Sequence, residues 1–142
     1  MNHLLAFLLT IAGTAAPSPA DAAPSALVVY QAPLSIDHAL GVWNGNLIQA
    51  NGARRPLEVS FTDGLRPQTL FAYFRLGKPD GAEMTVRRLG RLANDELVFD
   101  LREGGRVALR LISGRLVGPV VDPAGQLAVK AASAIELQRR WR

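Results

Sequence analysis

The chain has 142 residues, 49% of them hydrophobic, with 16 basic against 12 acidic side chains and no cysteine. That length suits one domain with a real core, and the missing cysteines exclude disulfides, thiol nucleophiles and cysteine-based metal sites. All the basic side chains except Lys78 and Lys130 are arginines, distributed along the chain rather than massed, so nucleic acid is not an expected partner.

The N-terminus is apolar from Leu4 to Ala16, broken only by Thr10, Gly13 and Thr14. This is the length of a signal-peptide core and falls short of the roughly 20 residues a bilayer span requires. Ala20-Asp21-Ala22 offers a small-x-small cleavage site, so residues 1–22 are expected to be a signal peptide, with a cut after Ala16 as the earlier option. The segment before the apolar run has His3 and no Lys or Arg, and the alternative is a segment that stays attached as a membrane anchor or buried helix. The expected location is the periplasm or the exterior, with no transmembrane span left after cleavage. Removal takes Asp21 with it, leaving 120 residues with 16 basic against 11 acidic side chains.

Residues 23–39 form a lead rich in Ala and Pro, with a short apolar run at Leu27-Val28-Val29-Tyr30. Ser35 is placed to cap a single helical turn through Leu40. From residue 40 to 142 the apolar residues recur with period two, which defines the predicted domain. The first strand opens at Gly41 and sets Trp43, Gly45 and Leu47 on one face. Asn51-Gly52 turns the chain, and the next strand alternates Leu57, Val59 and Phe61 with Glu58, Ser60 and Thr62 up to Asp63-Gly64.

Residues 69–76 carry large groups on both faces, Leu70, Ala72, Phe74 and Leu76 against Phe71 and Tyr73. After Pro79-Asp80-Gly81, residues 83–92 place Met84 and Val86 opposite Thr85 and Arg87, with Gly90 read as a bulge or bend. Residues 96–102 point Leu97, Phe99 and Leu101 inward and Val98, Asp100 and Arg102 outward. Residues 106–112 repeat that pattern, and Ser113-Gly114 signals a hairpin. Residues 115–121 contain Pro119, which argues for an edge strand or a bulge. The run Leu127 to Leu137 alternates loosely, and Gln126 to Trp141 is compatible with strand or helix because it is rich in helix formers.

Eight runs joined by short connections predict an all-β fold, a single antiparallel up-and-down barrel or strongly curled sheet, since no connection has room for a crossover helix. An eight-stranded barrel is wide enough for packed side chains or one small ligand. Trp43, Phe61, Phe74 and Phe99 are the candidates to line such a ligand site, and Phe71 and Tyr73, on the opposite face of their strand, are the candidates to meet a protein partner.

The Gly41-Val42-Trp43-Asn44-Gly45 opening after a helical turn resembles the Gly-x-Trp start of the calycin superfamily, which includes lipocalins, avidins and bacterial barrel-shaped protease inhibitors. The Gly-containing hairpin from Ile112 to Gly118 is similar to the closing hairpin of small exported bacterial barrels. The resemblance implies a barrel that binds an apolar ligand or a protein, with an arginine over the first-strand tryptophan; Arg139 and Arg140 are candidates for that role. It also implies an inhibitor alternative in which residues 23–32 act as an inserting arm. The excess of basic side chains gives a third alternative, a structural, envelope-interacting protein held by its basic surface to acidic polymers. The chain departs from the family in lacking a cysteine pair and in having only Trp141 as a second tryptophan.

Catalysis is not expected. Ser35, Asp37 and His38 are too close in sequence to converge as a hydrolytic triad. Glu58, Glu96 and Asp100 fall on outward strand positions as ordinary surface charges, and no phosphate loop, calcium loop, metal site or cofactor motif is present.

Overall fold

The computed structural model describes residues 33–77, 81–127 and 132–141. The predicted signal peptide and the lead up to residue 32 lie outside the described residues. A one-turn helix, α1 (Ile36–Ala39), precedes eight strands: β1 (Gly41–Gln49), β2 (Arg54–Asp63), β3 (Thr69–Gly77), β4 (Glu83–Ala93), β5 (Glu96–Asp100), β6 (Arg106–Ile112), β7 (Arg115–Val121) and β8 (Ala132–Arg139). Each strand pairs antiparallel with the next, and β8 returns to β1, so the sheet is a closed up-and-down barrel.

Closure follows from the period-two pattern: a wall with one apolar face leaves no exposed edge when its last strand finds its first. Trp43 pairs with Val59 on one side and with Arg139 on the other, Leu47 with Arg55 and Ile135. The run from Gln126 to Trp141, open between strand and helix in the sequence, is therefore a strand over Ala132–Arg139, because pairing with both β1 and β7 satisfies its backbone on two sides.

Three local features differ from the sequence pattern. Gly90 is at no bulge: the β3 to β4 register runs unbroken from Thr69 opposite Arg91 to Gly77 opposite Glu83. Its missing side chain makes room for Phe99, since a Cβ there would lie 2.1 Å from the Phe99 ring. Pro119 marks neither an edge nor an inserted residue. The β6 to β7 pairing lapses between Val107 with Val120 and Arg110 with Val117, then resumes in the same register, while Pro119 itself sits opposite Ala134 of β8. Leu127 belongs to the loop after β7 rather than to a strand, and is fully buried there.

That loop is held by Asp122. Its carboxylate accepts the backbone N–H groups of Gln126 (2.9 Å) and Leu127 (2.8 Å), so the chain folds back and drives Leu127 under cover at one end of the barrel. The other end is closed by α1. Ser35 caps it by accepting the His38 N–H at 3.1 Å, as the sequence predicts, and the Trp43 indole N–H donates to the Ala39 carbonyl at 2.8 Å. Among the described residues no helix is long and apolar enough to cross a membrane.

Candidate functional site

The four aromatics expected to line a ligand site are brought together, but against one another. Trp43, Phe74 and Phe99 have no exposed surface and Phe61 has 2%. The Phe61 and Phe99 rings stack with centroids 6.0 Å apart, and Phe74 meets Phe99 edge-on at 5.7 Å. Offset and edge-to-face pairs of this kind are the preferred ways for rings to fill a core. Their neighbours across the barrel, including Leu47, Leu97, Leu109 and Leu116, are equally buried. The interior thus packs as a hydrophobic core.

At the α1 end, Arg139 is the arginine over the first-strand tryptophan. Its guanidinium carbon lies 4.7 Å from the centre of the Trp43 ring and 5.9 Å from that of Trp141. Nη1 donates to the Leu40 carbonyl at 2.9 Å and Nη2 to the His38 carbonyl. One planar cation therefore ties β8 to α1 and to β1, through its contact with the Trp43 ring and the N–H groups of its edge. The Ser35 hydroxyl is engaged as the cap of α1 and the His38 ring tilts toward Trp43 at 6.4 Å, so these two residues are part of the barrel closure. Among the described residues no group of three His, Cys, Asp or Glu side chains is arranged to hold a metal ion.

The outer wall carries the charges. Glu58 is shared by Arg75 (2.5 Å) and Arg140 (3.3 Å), and Arg75 also reaches Glu83 (3.3 Å). The hydrogen bond to Glu83, followed by the charge of Glu58, holds the Arg75 guanidinium above its ordinary pKa. The hydrogen bond to Glu96 does the same for Arg110. Asn44, Pro56, Glu58, Arg75 and Glu83 border a surface groove of about 440 Å3. Val98, outward by register, is only 1% exposed; it lies between the Arg91–Asp100 pair (3.0 Å) and the Arg110–Glu96 pair (2.9 Å), whose aliphatic stems are suited to cover an apolar side chain.

The β3 and β4 wall is different in kind. Phe71 and Tyr73 point outward and are half-buried. Phe71 stands directly opposite Leu89 and Tyr73 opposite Arg87. Leu89 is 56% exposed, and the Arg87 guanidinium carbon lies 5.2 Å from the centre of the Phe71 ring. Two aromatics, a leucine and a stacked arginine thus form one contiguous outward patch, in which the aromatics and the arginine are residue types enriched at protein interfaces. Period-two reading found Phe71 and Tyr73; Leu89 and Arg87 join them only through the strand register.

No family model and no curated protein matches the chain. Among solved structures it is similar to a redesigned β barrel, with a TM-score of 0.57 and 13% sequence identity over 79% of this chain and 100% of the other. The likeness is one of fold. It agrees with the closed barrel of β1 to β8 and carries no information about ligand or partner.

Proposed function

We propose that this chain is an exported, non-enzymatic β-barrel of calycin type that recognises a protein partner through the outward face of β3 and β4. The observation that carries the proposal is the contrast between the two sides of β3. Its inward residues Leu70, Phe74 and Leu76 are at most 1% exposed, whereas its outward aromatics share an accessible patch with Leu89 and Arg87. A filled interior directs recognition to the surface, and aromatic and arginine side chains are the ones that anchor interfaces most strongly. Calycin type is supported by the Gly41-x-Trp43 opening together with the Arg139 stack over Trp43, and export by the apolar run from Leu4 to Ala16.

Two measurements test the proposal. Photo-crosslinking from a benzoylphenylalanine at position 89 is expected to trap a protein partner, while the same group at Val121, equally exposed at 57% but on β7, is not. Titration of the protein with a medium-chain fatty acid is expected to leave Trp43 emission unchanged. Stoichiometric uptake of the fatty acid with a shift in that emission would refute the proposal in favour of an interior ligand.

A further inference from the structure

The barrel is closed, yet one of its strands is only half used. β4 pairs with β3 along Glu83–Arg91, but with β5 only through Gly90, Arg91, Leu92 and Ala93. β5 stops at Asp100 and the chain turns away, so Glu83–Leu89 has no strand beside its second edge among the described residues. This is about 20 Å of backbone at the usual rise per residue, the longest unpaired stretch among the described strands.

The hydrogen-bond parity can be worked out. The Leu92 N–H donates to the Gln68 carbonyl at 2.8 Å, which makes Leu92 a hydrogen-bonded partner of the β3 side. In an antiparallel ladder that role alternates, so even-numbered residues of β4 bond to β3 and Thr85, Arg87 and Leu89 direct their N–H and C=O groups to the open edge. Closed barrels have few such edges, and native proteins guard the ones they keep with charged side chains in inward positions. Arg88 is such a guard. It lies opposite Ala72, in the inward row, and its guanidinium turns back to donate to the Arg87 carbonyl at 2.7 Å.

We infer that the open edge of β4 is the docking site for an extended acidic segment of the partner protein, which adds a strand beside Thr85, Arg87 and Leu89. The inference rests on the proposed use of the β3 and β4 face and supplies the chemistry of its partner. Backbone pairing gives such a segment affinity and the flanking side chains give it selectivity. On the outer row it would meet Arg87 and Leu89; on the inner row, Met84, Val86 and Arg88. The arginines decide its charge. Arg87 and Arg88 make no ion pair among the described residues, whereas the carboxylates facing this stretch are already engaged, Glu83 by Arg75 and Asp100 by Arg91. A carboxylate arriving beside Arg88 would draw the guanidinium off the Arg87 carbonyl and free that acceptor for the incoming strand, so only a segment carrying acid removes the guard.

The test uses the full chain and a capped eight-residue peptide alternating valine and glutamate, with a valine and lysine peptide as control. The acidic peptide is expected to bind and to slow amide hydrogen exchange at Thr85, Arg87 and Leu89, and replacing both arginines (R87E and R88E together) is expected to weaken it at least tenfold. Thr85→Pro removes an edge donor without touching the β3 ladder and is expected to abolish binding while leaving the circular dichroism unchanged. Should that variant fail to fold, methylating alternate amides of the peptide removes the same pairing from the other partner. Equal binding of the lysine peptide, or unchanged exchange at the three amides, would overturn the inference. So would slow exchange there before any peptide is added, with sedimentation then telling a second copy from a segment of the same chain. If position 89 still crosslinks a partner in the Thr85→Pro variant, the outward face stands as the recognition surface and the strand-addition inference alone has failed.

Discussion

Gly90 and Phe99 are opposed across the β4 to β5 ladder, and the barrel interior needs one of them to have no side chain. A Cβ on residue 90 would lie 2.1 Å from Cε1 and 2.4 Å from Cδ1 of Phe99. That ring has nowhere to retreat, because it is wedged between Phe61 at 6.0 Å and Phe74 at 5.7 Å. Gly90→Ala should therefore cost about 2 kcal/mol, as overpacking of a dense core does. For a domain of this size that amounts to a drop in melting midpoint of roughly 10 °C. Phe99→Ala alone should cost about 3–5 kcal/mol by opening a cavity. The double variant should be less damaged than the two costs together, with a coupling of about 1–3 kcal/mol, since the new methyl occupies the space that the Phe99 ring vacates. Urea unfolding followed by near-ultraviolet circular dichroism measures all four corners of the cycle. Strict additivity, or a Gly90→Ala variant as stable as its parent, would refute the packing described for the interior.

Other outcomes follow from the same geometry. Arg139→Met keeps the aliphatic bulk but loses the stack on Trp43 and the bonds to the Leu40 and His38 carbonyls; it should destabilise the barrel by about 1–3 kcal/mol and shift tryptophan emission. Asp122→Ala leaves the Gln126 and Leu127 amides without their acceptor, so hydrogen exchange at those two positions should accelerate and stability fall by about 1–3 kcal/mol. Leu89→Ser changes an exposed position and should alter stability by no more than about 0.5 kcal/mol, while reducing partner capture. The Arg75 and Arg110 guanidiniums, both raised in pKa by their carboxylate partners, remain charged at every pH below the strongly alkaline range. Titrating the protein from neutral to mildly alkaline pH should accordingly leave the chemical-denaturation midpoint unmoved by these two groups.

The barrel was legible wherever a strand buries one face only. Leu57, Val59 and Phe61 alternate with polar residues on β2 and are buried as the pattern requires, and Trp43 and Leu47 declare β1 in the same way. β8 was ambiguous because small alanines fit helix and strand equally, and its pairing with β1 is a contact across the length of the domain that no local pattern encodes. Leu127 was misplaced for a related reason: a leucine in a loop is buried by the Asp122 turn that folds it inward, not by periodicity. The candidate site was half visible. Outward aromatics at Phe71 and Tyr73 stood out against the alternation, but Leu89 and Arg87 became their neighbours only through register. The open edge had one local sign, Arg88, a charged residue where the alternation of Met84, Val86 and Gly90 calls for an apolar one.

The bond from Arg139 to the Leu40 carbonyl spans 99 positions of the chain, and β8 is the last of the described strands to leave the ribosome. The ring therefore cannot zip shut before residues 132–139 have been made, and its slowest folding step should be the meeting of first and last strands, a search dominated by loop closure. Until residues 132–139 emerge, the nascent polypeptide lacks the strand that joins β7 to β1 and stays an unsealed sheet with two free edges.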